Sequence, residues 1–403
     1  GWEVLVYLRK AEFGGSLVAG IVIALIAMIL DRITSGLAKN SVTYKPREKS
    51  FLRRNKFWFL AITGILFFYI LSFIFPILNQ WPESYFISPA KFISNGLDIF
   101  ILNFGTQIDY LKQVAFFFIM LPVKIGLQLS VSPYTWGFEL TPFLITAYFI
   151  IMILFSSWCF LKFSKDVAIG IILFSIFIYF GLTNMPWLPL ILIYGLIGFK
   201  IGGLKLSLTI VASFLFITFT GVLPQALLSI YLCGIAVIIS FILGSSLGIW
   251  AAHNDKVSAF MRPINDTMQT MPSFVILIPF VMFFGIGEFT ALLAIIAYAF
   301  VPALRYTEHG LRNLPETVIE AAQMIGCSQT QLLWKVKIPL AMPVIMLGLN
   351  QTIMFGLAML VIAALVGTTG LGQLIYIGLS KADFGTGTIS GVSIALIAII
   401  FDR

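Results

Sequence analysis

Residues Phe289 to Val366 read FTALLAIIAYAFVPALRYTEHGLRNLPETVIEAAQMIGCSQTQLLWKVKIPLAMPVIMLGLNQTIMFGLAMLVIAALV. Two apolar runs, about 289–307 and 340–366, bracket a polar stretch at 308–339 that holds nearly all the charge of the window. Crossing a bilayer takes about 20 apolar residues, and roughly 17 at the low end, so each run is long enough to be a transmembrane helix. The polar stretch carries helix signals of its own. Pro315 suits a first helical turn, and Glu316 and Glu320 put negative charge near that helix's N-terminus. Ala321 and Ala322 give the helix a face small enough for close approach, and Gly326 permits the positive-φ turn that ends it. A second short helix is expected at about 328–335, with Pro339 marking the start of the next span. The window reads as a stiff helix–turn–helix presented between two membrane helices.

The same grammar extends outward. Of 403 residues 60% are hydrophobic and only 10% charged, with a mean hydropathy of +1.02. A soluble chain near 25% charged covers itself with a hydrated surface; this one cannot. The fold class is therefore all-α, a polytopic membrane helical bundle. Further spans are expected at about 15–30, 57–78, 141–161, 167–183, 187–203, 206–223, 227–252, 268–286 and 386–401. The run 113–131 carries Pro122 and Lys124 in its middle, and parity places it in the outer interface without crossing. With that choice 19 of the 25 Lys and Arg residues fall on one side, while the 17 acids divide nine to eight. A bias in Lys/Arg alone marks the cytoplasmic side, which holds 31–56 and 308–339. Residues 79–140 then lie outside, with Trp81, Tyr85, Tyr134 and Trp136 as interfacial anchors. Pro89 to Lys112 suits an amphipathic helix on the membrane, with a solvated connector as the alternative.

An internal repeat sets the domain plan. KAEFGGSLVAGIVIALIAMILDR (Lys10–Arg32) aligns without gaps on KADFGTGTISGVSIALIAIIFDR (Lys381–Arg403), with 13 of 23 positions identical. The chain reads as a window on a tandem duplication. Residues 1–32 are the tail of a preceding unit, 33–56 a basic cytoplasmic linker, 57–223 additional spans with the external segment 79–140, and 224–403 a second unit.

Several function classes are excluded. The charge of +8 is scattered through short loops and forms no nucleic-acid footprint. No phosphate-binding loop, zinc-protease helix or nucleophile elbow is present, and His253 and His309 sit in loops where solvation is their ordinary state. Cys159, Cys233 and Cys327 lack disulfide or metal spacing. The spans are nearly free of ionisable groups, which are the usual sign of an ion-coupled carrier; this argues against that class without removing it. Glu288 is the main acid near membrane depth, and it falls in the outer turn GIGEFT.

Glu320-Ala321-Ala322, Gly326 and Ile338-Pro339 together resemble the EAA signature of ABC-importer permeases. The abutting Ile-Pro pair is a small departure that touches only the Pro339 assignment. Arg262–Gly287 and Ile338–Leu374 resemble ProW-type permeases for glycine betaine and proline betaine, over about 225–403. The resemblance implies a MetI-like core of about five helices. It implies that Glu320, Ala321, Ala322, Gly326 and Pro339 form the element that docks on a cytoplasmic ATPase, which would hold ATP and magnesium. It implies an external solute-binding protein, a second permease core fused in the same polypeptide, and a bacterial inner membrane. No cofactor is expected in this chain and no reaction catalysed by it. Gln269, Thr270, Asn350, Gln351 and Thr352 are polar residues in or at the ends of core spans, where they either pack helices together or line a solute path. The alternatives are the same machine carrying choline, carnitine or trimethylamine N-oxide, and an ion-coupled secondary carrier.

Overall fold

A computed structural model describes residues 6–7, 10, 12–41, 56–75, 89–128, 141–162, 165–180 and 187–402. In chain order the helices are α1 (Phe13–Ser41), α2 (Lys56–Ile74), α3 (Pro89–Ala115), α4 (Leu121–Gln128), α5 (Pro142–Lys162), α6 (Lys165–Phe180), α7 (Trp187–Phe219), α8 (Leu223–His253), α9 (Asp255–Thr270), α10 (Ser273–Phe284), α11 (Glu288–Arg312), α12 (Glu316–Met324), α13 (Gln329–Gln331), α14 (Ile338–Ala363), α15 (Leu371–Ser380) and α16 (Phe384–Asp402). Among the described residues there is no strand. Seven helices are long and apolar enough to cross a membrane, eight if α9 and α10 count as one bent span. The anchors Trp81, Tyr85, Tyr134 and Trp136, and residues 42–55 of the basic linker, lie outside the described residues.

Two units divide the chain, Gly1–Asp98 and Ile99–Arg403, with the boundary inside α3. In the first, α1 begins at Phe13 and runs to Ser41, well past the end expected for the repeat tail. α16 of the second unit begins at Phe384, the residue aligned with Phe13, so both copies of the repeat enter their helix at the same sequence position.

The core of the second unit is α8, α11 and α14, packed through small residues. A Cβ on Gly244 would come within 2.6 Å of Ala303 Cβ and of the Phe300 carbonyl oxygen, and one on Gly248 within 2.8 Å of the Leu304 carbonyl oxygen. The run GSSLG is thus the seam on which α8 meets α11, as small-xxx-small contacts do in membranes. Gly348 of α14 meets Tyr306 of α11 at 2.8 Å by the same measure. Ala236, Ala291, Ala294, Ile295, Ala303, Leu304, Met359 and Ala363 are fully buried around these crossings.

The span expected at 268–286 is broken. α9 and α10 meet at an angle of 104°, because Pro272 drives Met271 out of the helical region to φ −69°, ψ 133°. α10 has 12 residues, about 18 Å at 1.5 Å per residue, and does not cross unaided. The expected spans 187–203 and 206–223 are the two arms of one helical hairpin. Gly203 takes φ 71°, ψ −165° and the chain doubles back. Ser207 then donates to the Gly195 carbonyl (2.8 Å), and Tyr194 stacks on Phe214 at 4.8 Å.

Pro339 is a further correction. It does not punctuate the chain, because α13, a π-helical stretch Leu332–Lys337, α14 and a 3₁₀ turn form one continuous rod from Gln329 to Val366. The π turn sits where proline's missing N–H and its ring clash with the carbonyl four residues back would otherwise kink an α-helix. The short helix expected at 328–335 is the loop end of that rod. One helix, α15, was not expected at all.

Candidate functional site: the coupling loop

The polar loop begins on a brace. Arg312, at the end of α11, reaches three ways: to Asp255 Oδ1 at 2.8 Å, to the Ala251 carbonyl at 2.7 Å, and to Glu308 Oε1 at 3.0 Å. Ser258 donates to the same Glu308 oxygen at 2.5 Å. One guanidinium therefore ties together the end of α8, the start of α9 and the last turn of α11, using the fixed fork that sets arginine apart from lysine. Beyond it the Asn313 amide nitrogen caps His309 O at 3.1 Å and its side chain does so at 2.9 Å.

α12 follows, opened by Pro315 and carrying Glu316, Glu320, Ala321 and Ala322. Pro315 stands as the cap, one position before the first helical residue. Glu320 and Ala321 are exposed while Ala322 is buried, so the alanine pair splits between the outer face and the loop's own packing. Gly326 takes φ 88°. Its N–H bonds Gln323 O at 2.9 Å, and the Cys327 N–H bonds Ala322 O at 3.2 Å. This is the left-handed termination that glycine favours. Ser328 immediately starts the next helix with a reciprocal capping box, Gln331 N to Ser328 Oγ at 3.3 Å and Ser328 N to Gln331 Oε1 at 3.0 Å. Three helix ends are thus capped within about twenty residues.

The tip is apolar. Met324 is 89% exposed, Ile325 84% and Trp334 62%. Such a cluster, rimmed by polar residues, marks an interaction surface. Sequence reasoning missed these three, although apolar residues on both sides of a turn glycine were the signal available.

The remaining candidates do not converge. Gln269, at the end of α9, accepts a hydrogen bond from Arg305 of α11, and Thr270 bonds back to Asp266 O at 3.0 Å. Asn350 donates to Asp402 of α16 at 2.7 Å. Thr352 is fully buried and donates to Gly348 O at 2.8 Å, a packing role. Gln351 is half-buried, and Pro339 is exposed on the rod. At the opposite end Lys124 pairs with Glu288 at 2.6 Å, and Thr369 donates to the same Glu288 oxygen at 2.9 Å. Sequence alone gives no hint of a pair 164 residues apart. Lys124 sits on a helix that runs unbroken from Pro89 to Gln128 through a π turn, and that helix is not among the candidate spans.

Residues 244–402 match the family described as "Binding-protein-dependent transport system inner membrane component". The glycine betaine transport system permease protein OpuAB of Bacillus subtilis is 36% identical over 241 residues, 60% of this chain and 86% of that protein. The chain belongs to this permease family. The matched region contains the braced loop, α11, α14 and residues 244–253 at the end of α8. Over its whole length this permease is 32% identical to the trimethylamine N-oxide transport system permease protein TmoV of Pelagibacter ubique, of which it covers 50%. ProW of Escherichia coli, a glycine betaine/proline betaine permease protein, is 39% identical over 55% of this chain and 63% of its own. The chain therefore spans between half and two thirds of these two relatives.

Proposed function

We propose that the chain is the permease of an ATP-driven importer for small methylated-ammonium solutes, coupled to its ATPase through residues 308–339. The observation that carries this reading is a loop braced at its root, capped at three of its helix ends and apolar at its tip. Coupling between distant sites requires an element with discrete arrangements and little slack. The rod Gln329–Val366 has 38 residues, about 57 Å, against a hydrocarbon core of about 30 Å. A push at the loop tip therefore acts directly on a core helix.

Glu320, Ala321 and Gly326 would face a groove on the ATPase, where ATP and magnesium are bound and hydrolysed, with Ala322 packing the loop behind them and Met324, Ile325 and Trp334 as the apolar contact. Pro339 would shape the rod behind them. An external binding protein would deliver the solute. A second permease core in the same polypeptide is supported by the 10–32 repeat and by coverage of half of TmoV. Among solutes, glycine betaine and proline betaine follow the ProW and OpuAB names. Trimethylamine N-oxide follows a relative matched over the whole chain, extra helices included, and choline and carnitine share the methylated nitrogen.

Uptake of trimethylglycine and trimethylamine N-oxide into vesicles containing permease, ATPase and binding protein tests the reading. Expected is uptake that requires ATP hydrolysis and survives ionophores. Uptake that ionophores abolish, with ATP irrelevant, would make the protein a secondary carrier instead.

A further inference from the structure

At the end of the core far from the loop, a carboxylate is satisfied on one side only. Glu288 begins α11, and its Oε1 accepts from Lys124 at 2.6 Å and from Thr369 at 2.9 Å. Its other oxygen, Oε2, is buried and has no donor among the described residues. The Tyr231 hydroxyl, in the third turn of α8, is buried and has no acceptor, and Gln225 Oε1 in the first turn is likewise unmet. Of six such atoms among the described residues, three therefore belong to this one end. A buried polar group left unpaired costs free energy in every arrangement that leaves it so. An arrangement that pairs two of them competes with the one seen. Glu288 and Tyr231 are complementary, an acceptor and a donor, and Glu288 is the charge that acts on that hydroxyl.

Lys124 belongs to a strap. From Ile99 to Gln128 its unbroken helix lies in the second unit. Phe100 meets Phe283 of α10 edge-on at 5.3 Å, Met120 is fully buried, and α4 packs on α8. Lys124 follows Phe100 by 24 residues, about 36 Å along a helix, so an aromatic contact holds one end and a charge the other. The side chains of Lys124 and Glu288 are 22% and 15% exposed. The ammonium is thus close enough to water to be rehydrated when the pair parts. Gly285 at φ 71° and Gly287 at φ 154° flank the turn ahead of Glu288, with open space around both, which leaves the carboxylate room to rotate.

We propose that Glu288 is a two-position latch: on Lys124 it fastens the strap over this end of the core, and on the Tyr231 hydroxyl it holds the strap released. In the fastened state Oε1 takes Lys124 and Oε2 is idle. In the released state the Tyr231 O–H donates to Oε2, Thr369 keeps Oε1, and the Lys124 ammonium passes to water. One contact is exchanged for another, the condition under which a small bias moves a population. This end is expected outside, so the latch rests on the transport reading and adds the element that uncovers the core to incoming solute.

The strap can be followed directly in the permease with its ATPase in nanodiscs, by the distance between nitroxides on Gln107→Cys and Leu379→Cys. Both positions are exposed, and a Cys327→Ser background leaves only the buried Cys159 and Cys233. Expected is one distance in the resting protein, a second and longer one when Lys124→Met removes the fastening charge, and loss of the longer one when Tyr231→Phe is added. Alone, Tyr231→Phe should cut ATP-driven uptake about tenfold, the factor that one hydrogen bond to a charged group supplies, without lowering the melting temperature. A merely structural role would leave uptake untouched, since the variant deletes an unpartnered hydroxyl. For the same reason it is safe for folding, and it decides the matter if Lys124→Met fails to accumulate. An unchanged distance in Lys124→Met, or uptake by Tyr231→Phe within about twofold of wild type, would overturn the latch. Either result beside ATP-driven uptake by the wild type refutes the latch alone. A strap that opens in Lys124→Met, in a protein with no ATP-driven uptake, refutes the transport reading and leaves the latch standing.

Discussion

At Gly326 the polar loop 308–339 depends on a single dihedral. At φ 88° an L side chain crowds its own backbone, at about 1–2 kcal/mol, while asparagine tolerates the left-handed region better than other residues. Proline is worse on two counts, since its ring fixes φ near −65° and it deletes the N–H that bonds Gln323 O. Gly326→Pro should therefore accumulate in the membrane at normal level yet lose ATP-dependent uptake, and Gly326→Asn should keep much of it. Immunoblots of membrane fractions beside uptake rates check both. Gly244 and Gly234 make a second comparison, within one helix. An alanine at 244 drives its Cβ into Ala303 and the Phe300 carbonyl, whereas one at 234 meets nothing within 4 Å. Gly244→Ala should lower the melting temperature in detergent by an overpacking cost of about 1–3 kcal/mol. Gly234→Ala should raise it, by up to about 1 kcal/mol in helix propensity. Both glycines look alike in sequence. GSSLG supplies the small residues of the seam, but the side of α8 that faces α11 is fixed only by the partner helix.

Elements were legible where their signals are local and hidden where they are made by distant partners. Pro315, the acidic first turn and Gly326 define α12 from one sequence. The break at Met271–Pro272 was also written locally, as an X-Pro step, but the apolar run around it outweighed the step and suggested a continuous span. Pro339 misled the other way, because a π turn just upstream absorbs a residue that normally ends helices. The Arg312 brace had no sequence signature, since its partners Ala251, Asp255 and Glu308 belong to three helices. It yields a prediction about the loop as a unit. Arg312→Ala strands Glu308, whose side chain is 12% exposed, and frees the root of the lever, so ATPase activity should persist while solute moved per ATP falls severalfold. Arg312→Lys keeps the charge but lacks the wide planar fork that reaches acceptors on three helices, and should restore little. Parallel measurement of phosphate release and uptake in one vesicle preparation distinguishes uncoupling from loss of assembly, which would lower both together.

For the molecule as a whole, sidedness orders everything else. By the Lys/Arg asymmetry the loop tip is expected on the cytoplasmic side. The Lys124–Glu288 pair fixes one further point, because a helix whose lysine meets the turn before α11 at 2.6 Å has that lysine at the same membrane face as Glu288. The loop and Glu288 flank α11 at opposite ends, and α11 has 25 residues, about 37 Å and enough to cross. Gln107, exposed on α3, and Ser328, exposed at the loop tip, should then answer differently to a membrane-impermeant thiol reagent. In a background with Cys327→Ser, since Cys159 and Cys233 are buried, Gln107→Cys should label in intact spheroplasts, and Ser328→Cys only after permeabilisation. Reversal of both would turn the bundle over and put the lever out of reach of any cytoplasmic ATPase. Reversal of Gln107→Cys alone would mean that the 113–128 stretch crosses, moving the residues before it, Gln107 among them, to the other side while leaving the permease core where it stands.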